Sequence, residues 1–244
     1  MRTAWLGSVL RLGGGLNTAK ALGPRPALPL ELYEFEACPF CRKVRETLSV
    51  LDLEAVVYPC PKDGTRFRPK AVELGGKAQF PLLVDPNTGA KLYESDDISR
   101  YLAKTYGLGS RPLMVSLGPV TTVSSMLSTA VRQGHGAKAR PSKPPQQPLE
   151  LWSFEASPYC RLVRERLCEL ELPYLLHNVA KKSPSRPAFV ARSGQMQVPW
   201  LVDANTGAAL FESEAIIDYL DATYGASSCG FQGDAYRRVP LPGP

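Results

Sequence analysis

Apolar and polar positions along this chain run through one order twice. Leu30-Glu31-Leu32-Tyr33-Glu34-Phe35-Glu36-Ala37-Cys38-Pro39-Phe40-Cys41-Arg42 returns, 119 positions on, as Leu149-Glu150-Leu151-Trp152-Ser153-Phe154-Glu155-Ala156-Ser157-Pro158-Tyr159-Cys160-Arg161. In the first copy, an apolar strand is expected at Glu31–Phe35. A helix follows the Cys-Pro-Phe-Cys turn and runs through about Leu51. Its period places Val44, Leu48 and Leu51 on one face and leaves Arg42, Lys43, Arg45 and Glu46 largely outside. Glu54–Tyr58 reads as a second strand, and Thr65–Leu74 as a short helix ended by Gly75-Gly76. Phe80–Val84 and Lys91–Tyr93 flank Asp85-Pro86-Asn87-Thr88-Gly89, a hairpin with turn chemistry. The last helix opens at Ser95, a good N-cap with acids in its first turn, and stops at Tyr106 before Gly107.

The second copy keeps this order, with a hairpin around Asp203-Ala204-Asn205-Thr206-Gly207 and a last helix from Ser213 to Tyr224. The order βαβαββα predicts an α/β sandwich in each copy. The expected domains are 31–107 and 149–225, joined by a basic, proline-rich linker (108–148), preceded by a basic leader (1–30) and followed by a tail (226–244). Val123, Met126, Leu127, Ala130 and Val131 form an amphipathic stripe in the linker, and Leu6, Val9 and Leu10 a shorter one in the leader. Glycines and then prolines follow both stripes, so the leader reads as part of the repeat unit.

A length of 244 residues suits two small domains. The net charge of +6 is confined to the connectors: Arg2, Arg11, Lys20 and Arg25 in the leader and Arg111, Arg132, Lys138, Arg140 and Lys143 in the linker, with no acid in either. The copies are therefore slightly acidic, which argues against a nucleic-acid partner. No apolar run approaches a transmembrane span. Six cysteines are too sparse for a disulfide scaffold. Cys-x-x-Cys then indicates redox work in a reducing compartment: the cytoplasm, or a plastid if the acid-free leader is a transit peptide. A zinc site would need a second ligand pair, and no suitable spacing offers one, so no metal is expected.

Chemistry concentrates at the first copy's turn. Cys38 would begin a helix, where unpaired amides and the dipole stabilise a thiolate. Pro39 suits the first helical turn, and Cys41 lies near enough to resolve a mixed disulfide at Cys38. Pro81, after Phe80 at the start of a predicted strand, suggests a cis bond beside that turn, where an extended peptide could pair. Glu94-Ser95-Asp96 offers free amides for a carboxylate and acids for an ammonium group, the two ends of a γ-glutamyl unit. The reading requires Cys38 to be reachable and to face the Phe80–Pro81 bend. Cys60 and Cys168, unmatched by the repeat, read as ordinary thiols, and Cys229 as an exposed one.

The runs Cys38-Pro39-Phe40-Cys41-Arg42-Lys43-Val44-Arg45, Gln79-Phe80-Pro81 and Tyr93–Leu102 resemble the glutathione-binding N-terminal domain of glutathione S-transferases and the related glutaredoxins. Val198-Pro199 and Phe211–Leu220 resemble it again, and the whole chain is similar to tandem-domain proteins of the bacterial and plastid type. The resemblance implies two tandem thioredoxin-fold domains, each a four-stranded mixed sheet with flanking helices, and glutathione as ligand and cosubstrate. It implies Cys38 as nucleophile, Cys41 as resolving thiol, and Phe80, Pro81, Glu94, Ser95 and Asp96 as the glutathione cradle. Such transferases carry a large helical domain after this one; about 40 residues follow the first copy here and about 20 the second, so bulky electrophiles are not expected as substrates.

In the second copy Ser157 replaces the nucleophile, with Cys160, Val198, Pro199, Glu212 and Ser213 completing a second candidate site. A serine needs an activating base, so this copy is expected to bind glutathione without redox turnover or to serve in packing. The expected function is a glutathione-binding thiol–disulfide oxidoreductase acting on a small-molecule or protein disulfide. The alternatives are a non-catalytic glutathione- or protein-binding module and a transferase for a small electrophile. An intramolecular pseudo-dimer of the two copies is a further expectation.

Overall fold

The computed structural model describes residues 14–108 and 134–226; both amphipathic stripes and Cys229 lie outside them. The first copy comprises β1 (Leu30–Glu34), α1 (Pro39–Val50), β2 (Ala55–Pro59), α2 (Arg68–Gly75), β3 (Leu82–Asp85), β4 (Ala90–Leu92) and α3 (Ser95–Tyr106). The second repeats it as β5 (Leu149–Ser153), α4 (Pro158–Glu169), β6 (Tyr174–Asn178), α5 (Arg186–Ser193), β7 (Trp200–Asp203), β8 (Ala208–Phe211) and α6 (Ser213–Tyr224). Among the described residues no helix is long and apolar enough to cross a membrane.

Strand alternation explains the layers. Leu30 and Leu32 pack with Val44, Leu48, Ile98 and Leu102 of α1 and α3. Tyr33, pointing the other way, packs with Ala71 of α2 and with Leu82. In each copy the first strand lies between a parallel neighbour and an antiparallel one: β1 between β2 and β3, β5 between β6 and β7. A buried aspartate ties each hairpin to its last helix. Asp85 accepts hydrogen bonds from Tyr101 and Tyr106 at 2.6 and 2.7 Å, and Asp203 from Tyr219 and Tyr224 at 2.6 Å each.

The two four-stranded halves join into one eight-stranded sheet, ordered β4-β3-β1-β2-β6-β5-β7-β8. At the joint β2 and β6 pair antiparallel, with Val56 opposite Leu175. Those two positions are equivalent in the repeat, so the register has local two-fold symmetry. The connectors cross this axis: Asn17 bridges to Lys181 of the second copy, and Lys138 to Lys62 of the first. Arg25, one of the leader's charges, is tied to the first copy. It donates to the carbonyls of Leu51, Asp52 and Tyr106 at 2.7, 3.0 and 3.1 Å, which closes the ends of α1 and α3.

The structure corrects one expectation sharply. Arg42, Lys43, Arg45 and Glu46 do not face solvent; all four are buried. A periodicity reading finds the apolar stripe of one helix but not a flank that meets another copy of itself. Here α1 and α4 bring Arg42, Arg45, Arg161 and Arg164 together with Glu34, Glu36, Glu46, Glu155 and Glu165, every one buried. Carboxylates cross between copies: Glu155 meets Arg45 at 3.1 Å and Arg42 at 3.7 Å, while Glu36 meets Arg164 at 3.1 Å and Arg161 at 3.8 Å. Alternating charge gives each ion an opposite partner where an isolated one would be prohibitive, although Nε and Nη1 of Arg161 make no hydrogen bond.

A second ionic contact spans the joint at the sheet's other face. His177 Nδ1 lies 2.5 Å from Glu54 of the first copy and Nε2 lies 3.0 Å from Glu150. The ring stacks on Trp152, and Arg192 also donates to Glu150 at 3.0 Å. Burial opposes the imidazolium, but the two carboxylates prevail and raise the His177 pKa. The raised folded-state value fixes the sign. The contribution to stability is complete below the unfolded value of about 6.5 and is lost as pH rises through the folded one. Melting temperatures across that window should show the wild type losing its advantage over His177→Gln as pH increases; parallel curves would contradict the bridge.

Candidate active site

Helix α1 begins where β1 ends, and the four-residue turn between them ends on Cys38. This residue is extended (φ −82°, ψ 121°) and caps the helix: Cys41 N–H donates to its Sγ at 3.3 Å. Pro39 follows at the first helical position, which requires no amide donor. Phe40 stands 41% exposed, marking the outer face of the turn. The sulfur itself is not open: Cys38 is 3% exposed and Cys41 fully buried. The turn preceding Cys38 packs inward, so the sequence-based requirement of a freely reachable nucleophile is not met by this arrangement.

Electrostatics separates the two thiols. The hydrogen bond from the Cys41 side chain lowers the Cys38 pKa; burial opposes it, and the amides of Cys41 and Phe40 add to the lowering. Cys41 is pushed well up, first by burial, then by its bond to Cys38 and the charges of Cys38 and Glu34. Glu34 was not singled out from sequence. It occupies the strand face shared by Leu30 and Leu32, beneath α1, and pairs with Arg45. Burial, aided by Glu36 and Glu155 and opposed by Arg45, raises its pKa to about 7. The available signal was an acid in phase with an apolar strand face. The second copy has Ser153 there, hydrogen-bonded to Arg164 at 3.1 Å.

Of the other candidates, Phe80 contacts the residue that leads into this turn and Asp96 contacts α1. Phe80–Pro81 is cis. Phe80 meets Phe35, which leads into the cysteine turn, edge to face at 6.3 Å, and the Arg68 guanidinium lies 4.7 Å from its ring centroid. Glu94 has φ 63° and ψ 117°, a strained conformation for a residue bearing a Cβ. Its carboxylate accepts from Gln79, and buried Ser95 starts α3 behind it. Asp96 is already paired, with Lys43 Nζ at 2.6 Å.

The second copy reproduces this scaffold. Ser157 has φ −74° and ψ 121°, and its Oγ accepts from Cys160 N–H at 3.3 Å. Val198–Pro199 is cis. Glu212 has φ 67° and ψ 124° and accepts from Gln197, with buried Ser213 next. Cys160 is buried, and Tyr159 stands 44% exposed where the first copy has Phe40. Neither the repeated strain at Glu94 and Glu212 nor the Lys43–Asp96 pair was visible in the sequence.

Comparison with known proteins agrees with this doubling. The family model described as "Glutathione S-transferase, N-terminal domain" matches residues 32–111 and again 151–228. Among solved structures, the Bombyx mori glutathione transferase BmGSTD1 is 29% identical, over 34% of this chain and 38% of that one, with a TM-score of 0.31. The Leishmania trimeric glutathione transferase TDR1 is 15% identical, over 86% of this chain and 70% of that one, with a TM-score of 0.28. No curated protein matches the chain. Two matched segments together cover more than half of the sequence, and the chain belongs to the glutathione S-transferase N-terminal domain family, whose domain it carries twice.

Proposed function

We propose that the first copy is a glutathione-linked thiol–disulfide oxidoreductase centred on Cys38, whose sulfur, 3% exposed in this arrangement, becomes reachable only when the turn over it opens to substrate. One observation carries the reading: the Cys38 sulfur is the N-cap acceptor of α1, hydrogen-bonded by the Cys41 amide. Family membership supports glutathione as the ligand. The Phe80–Pro81 bend would hold its cysteinyl backbone. The amide start of α3 at Ser95 would receive its γ-glutamyl carboxylate, and Glu94 its ammonium group.

The chemistry balances without a further cofactor. The Cys38 thiolate attacks the glutathionyl sulfur of a mixed disulfide; a new S–S bond forms, and the substrate thiolate leaves and takes a proton. A second glutathione, as thiolate, attacks the sulfur of the bound glutathionyl group. Glutathione disulfide departs, and Cys38 returns as thiolate. The mixed disulfide is the oxidant and the single incoming glutathione is the reductant; the other half of the departing glutathione disulfide comes from the substrate. The two copies act as an intramolecular pseudo-dimer with one redox-competent member.

The 3% exposure of Cys38 favours a second reading, a glutathione-binding module without turnover. Incubation with a small glutathione mixed disulfide, followed by mass spectrometry of the intact chain and its peptides, separates them. The enzymatic reading expects one glutathionyl group on Cys38, absent in Cys38→Ser. Calorimetric binding of glutathione with no adduct and no turnover leaves the module.

A further inference from the structure

The turn that presents Cys38 closes on its own Cys38 N–H to Phe35 carbonyl bond at 3.0 Å, and it is also held from outside its own copy. Glu36 N–H donates to Cys168 Sγ at 3.4 Å, and Ala37 N–H to the Gly136 carbonyl at 3.4 Å. The Glu36 carboxylate takes a two-pronged contact from Arg164, Nε at 3.1 Å and Nη2 at 3.4 Å. Arg161 adds a contact at 3.8 Å, and from its own copy Arg45 one at 3.2 Å. Gly136 approaches so closely, at φ 72°, that a Cβ there would lie 2.9 Å from the Glu36 Cβ. Cys168 in turn donates to the Gly136 carbonyl at 3.3 Å, which closes the set.

We propose that the second copy is a positioning subunit for the first: Arg164 and Cys168 fix the Phe35–Cys38 turn and so hold the Cys38 sulfur where the amides of α1 reach it. A two-pronged guanidinium–carboxylate contact sets orientation as well as distance, and a lysine cannot reproduce it. The assignment gives the serine-bearing copy a role that needs no nucleophile of its own. It also gives Cys168 one, as the acceptor for a turn amide. The reciprocal contact exists with oxygen in place of sulfur: Glu155 N–H donates to Ser49 Oγ at 3.5 Å, and Ser49 is the repeat equivalent of Cys168.

The role in turnover rests on the oxidoreductase reading; the effect on the sulfur does not, and the two are measured separately. Full-length wild type, Arg164→Lys, Cys168→Ala and Cys168→Ser are alkylated with iodoacetamide across pH, and the rate at Cys38 is read by peptide mass spectrometry. Arg164→Lys and Cys168→Ala should raise the midpoint by about one unit, so that the rate below both midpoints falls about tenfold. Cys168→Ser should track the wild type, because serine does this work in the other copy. Where Arg164→Lys does not fold, as judged by circular dichroism, the two Cys168 variants decide alone. Wild-type midpoints in every folded variant, Cys168→Ala included, overturn the proposal. Shifted midpoints in a chain with no disulfide turnover uphold it and sink the oxidoreductase reading instead.

Discussion

Glu155→Ala is expected to cost about 3–5 kcal/mol of folding free energy and to melt both copies in one transition. Glu155 is buried among three guanidinium groups, with Arg164 at 2.9 Å, Arg45 at 3.1 Å and Arg42 at 3.7 Å. Burial disfavours its charge, but the arginines outweigh burial and hold its pKa low. Truncation removes the acid and leaves the arginines dry and facing one another, the costliest way to break a buried ion pair. The loss falls on both copies because Arg42 and Arg45 belong to one and Arg164 to the other. Urea denaturation followed by circular dichroism gives the magnitude. Hydrogen exchange resolves the copies: β1 and β5 should lose protection together, and loss confined to β5 would rule out a shared joint. The depressed carboxyl also sets a pH sign, with stability present above the unfolded value of about 4.3 and lost as pH falls through the folded one. The exposed Lys70–Glu73 pair, at 3.2 Å, is the control; Glu73→Ala should cost under about 0.5 kcal/mol.

The fold was legible because each copy states it locally. Leu30 and Leu32 alternate, Val44 and Leu48 recur at helical spacing, Gly76 closes α2 at φ 82°, and the repeat checks every element against its twin. The candidate site was legible for a related reason. A helix start needs only Cys38, Pro39 and Cys41 in order, and the Phe80–Pro81 bend announces itself by a proline where a strand begins. What escaped was everything made by two copies at once. Arg42 and Arg45 have the composition of a solvated face, and only the β2–β6 pairing turns that face inward. Glu34 looked like one more strand polar residue, although its phase with Leu32 already placed it under the helix. The burial of Cys38 was not legible either, because part of what surrounds its turn comes from Gly136 and Cys168, distant in sequence.

Cys38→Ser should lower turnover of a glutathione mixed disulfide by at least about a thousandfold, whereas Cys41→Ser should stay within roughly threefold of wild type. The asymmetry follows from which thiol can be an anion. The Cys41 amide donates to the Cys38 sulfur at 3.3 Å, and the pKa of Cys38 falls, first through the Cys41 side chain and then through the amides of Cys41 and Phe40. Serine in its place is a far weaker acid with no base beside it; Ser157 already shows that pairing of a capped hydroxyl with Cys160. Cys41 is held protonated by burial, by its bond to Cys38 and by the charge of Glu34, so it is a poor resolving nucleophile near neutral pH. Its work is to donate to Cys38, and a serine hydroxyl donates as well. Cys41→Ala removes the donor: the alkylation midpoint of Cys38 should rise, and turnover at neutral pH should fall more than in Cys41→Ser. Turnover equal in Cys41→Ala and Cys41→Ser would mean that the side-chain hydrogen bond does not set the reactivity of Cys38. Collapse in both, with accumulation of glutathionylated Cys38, would make Cys41 the resolving thiol after all.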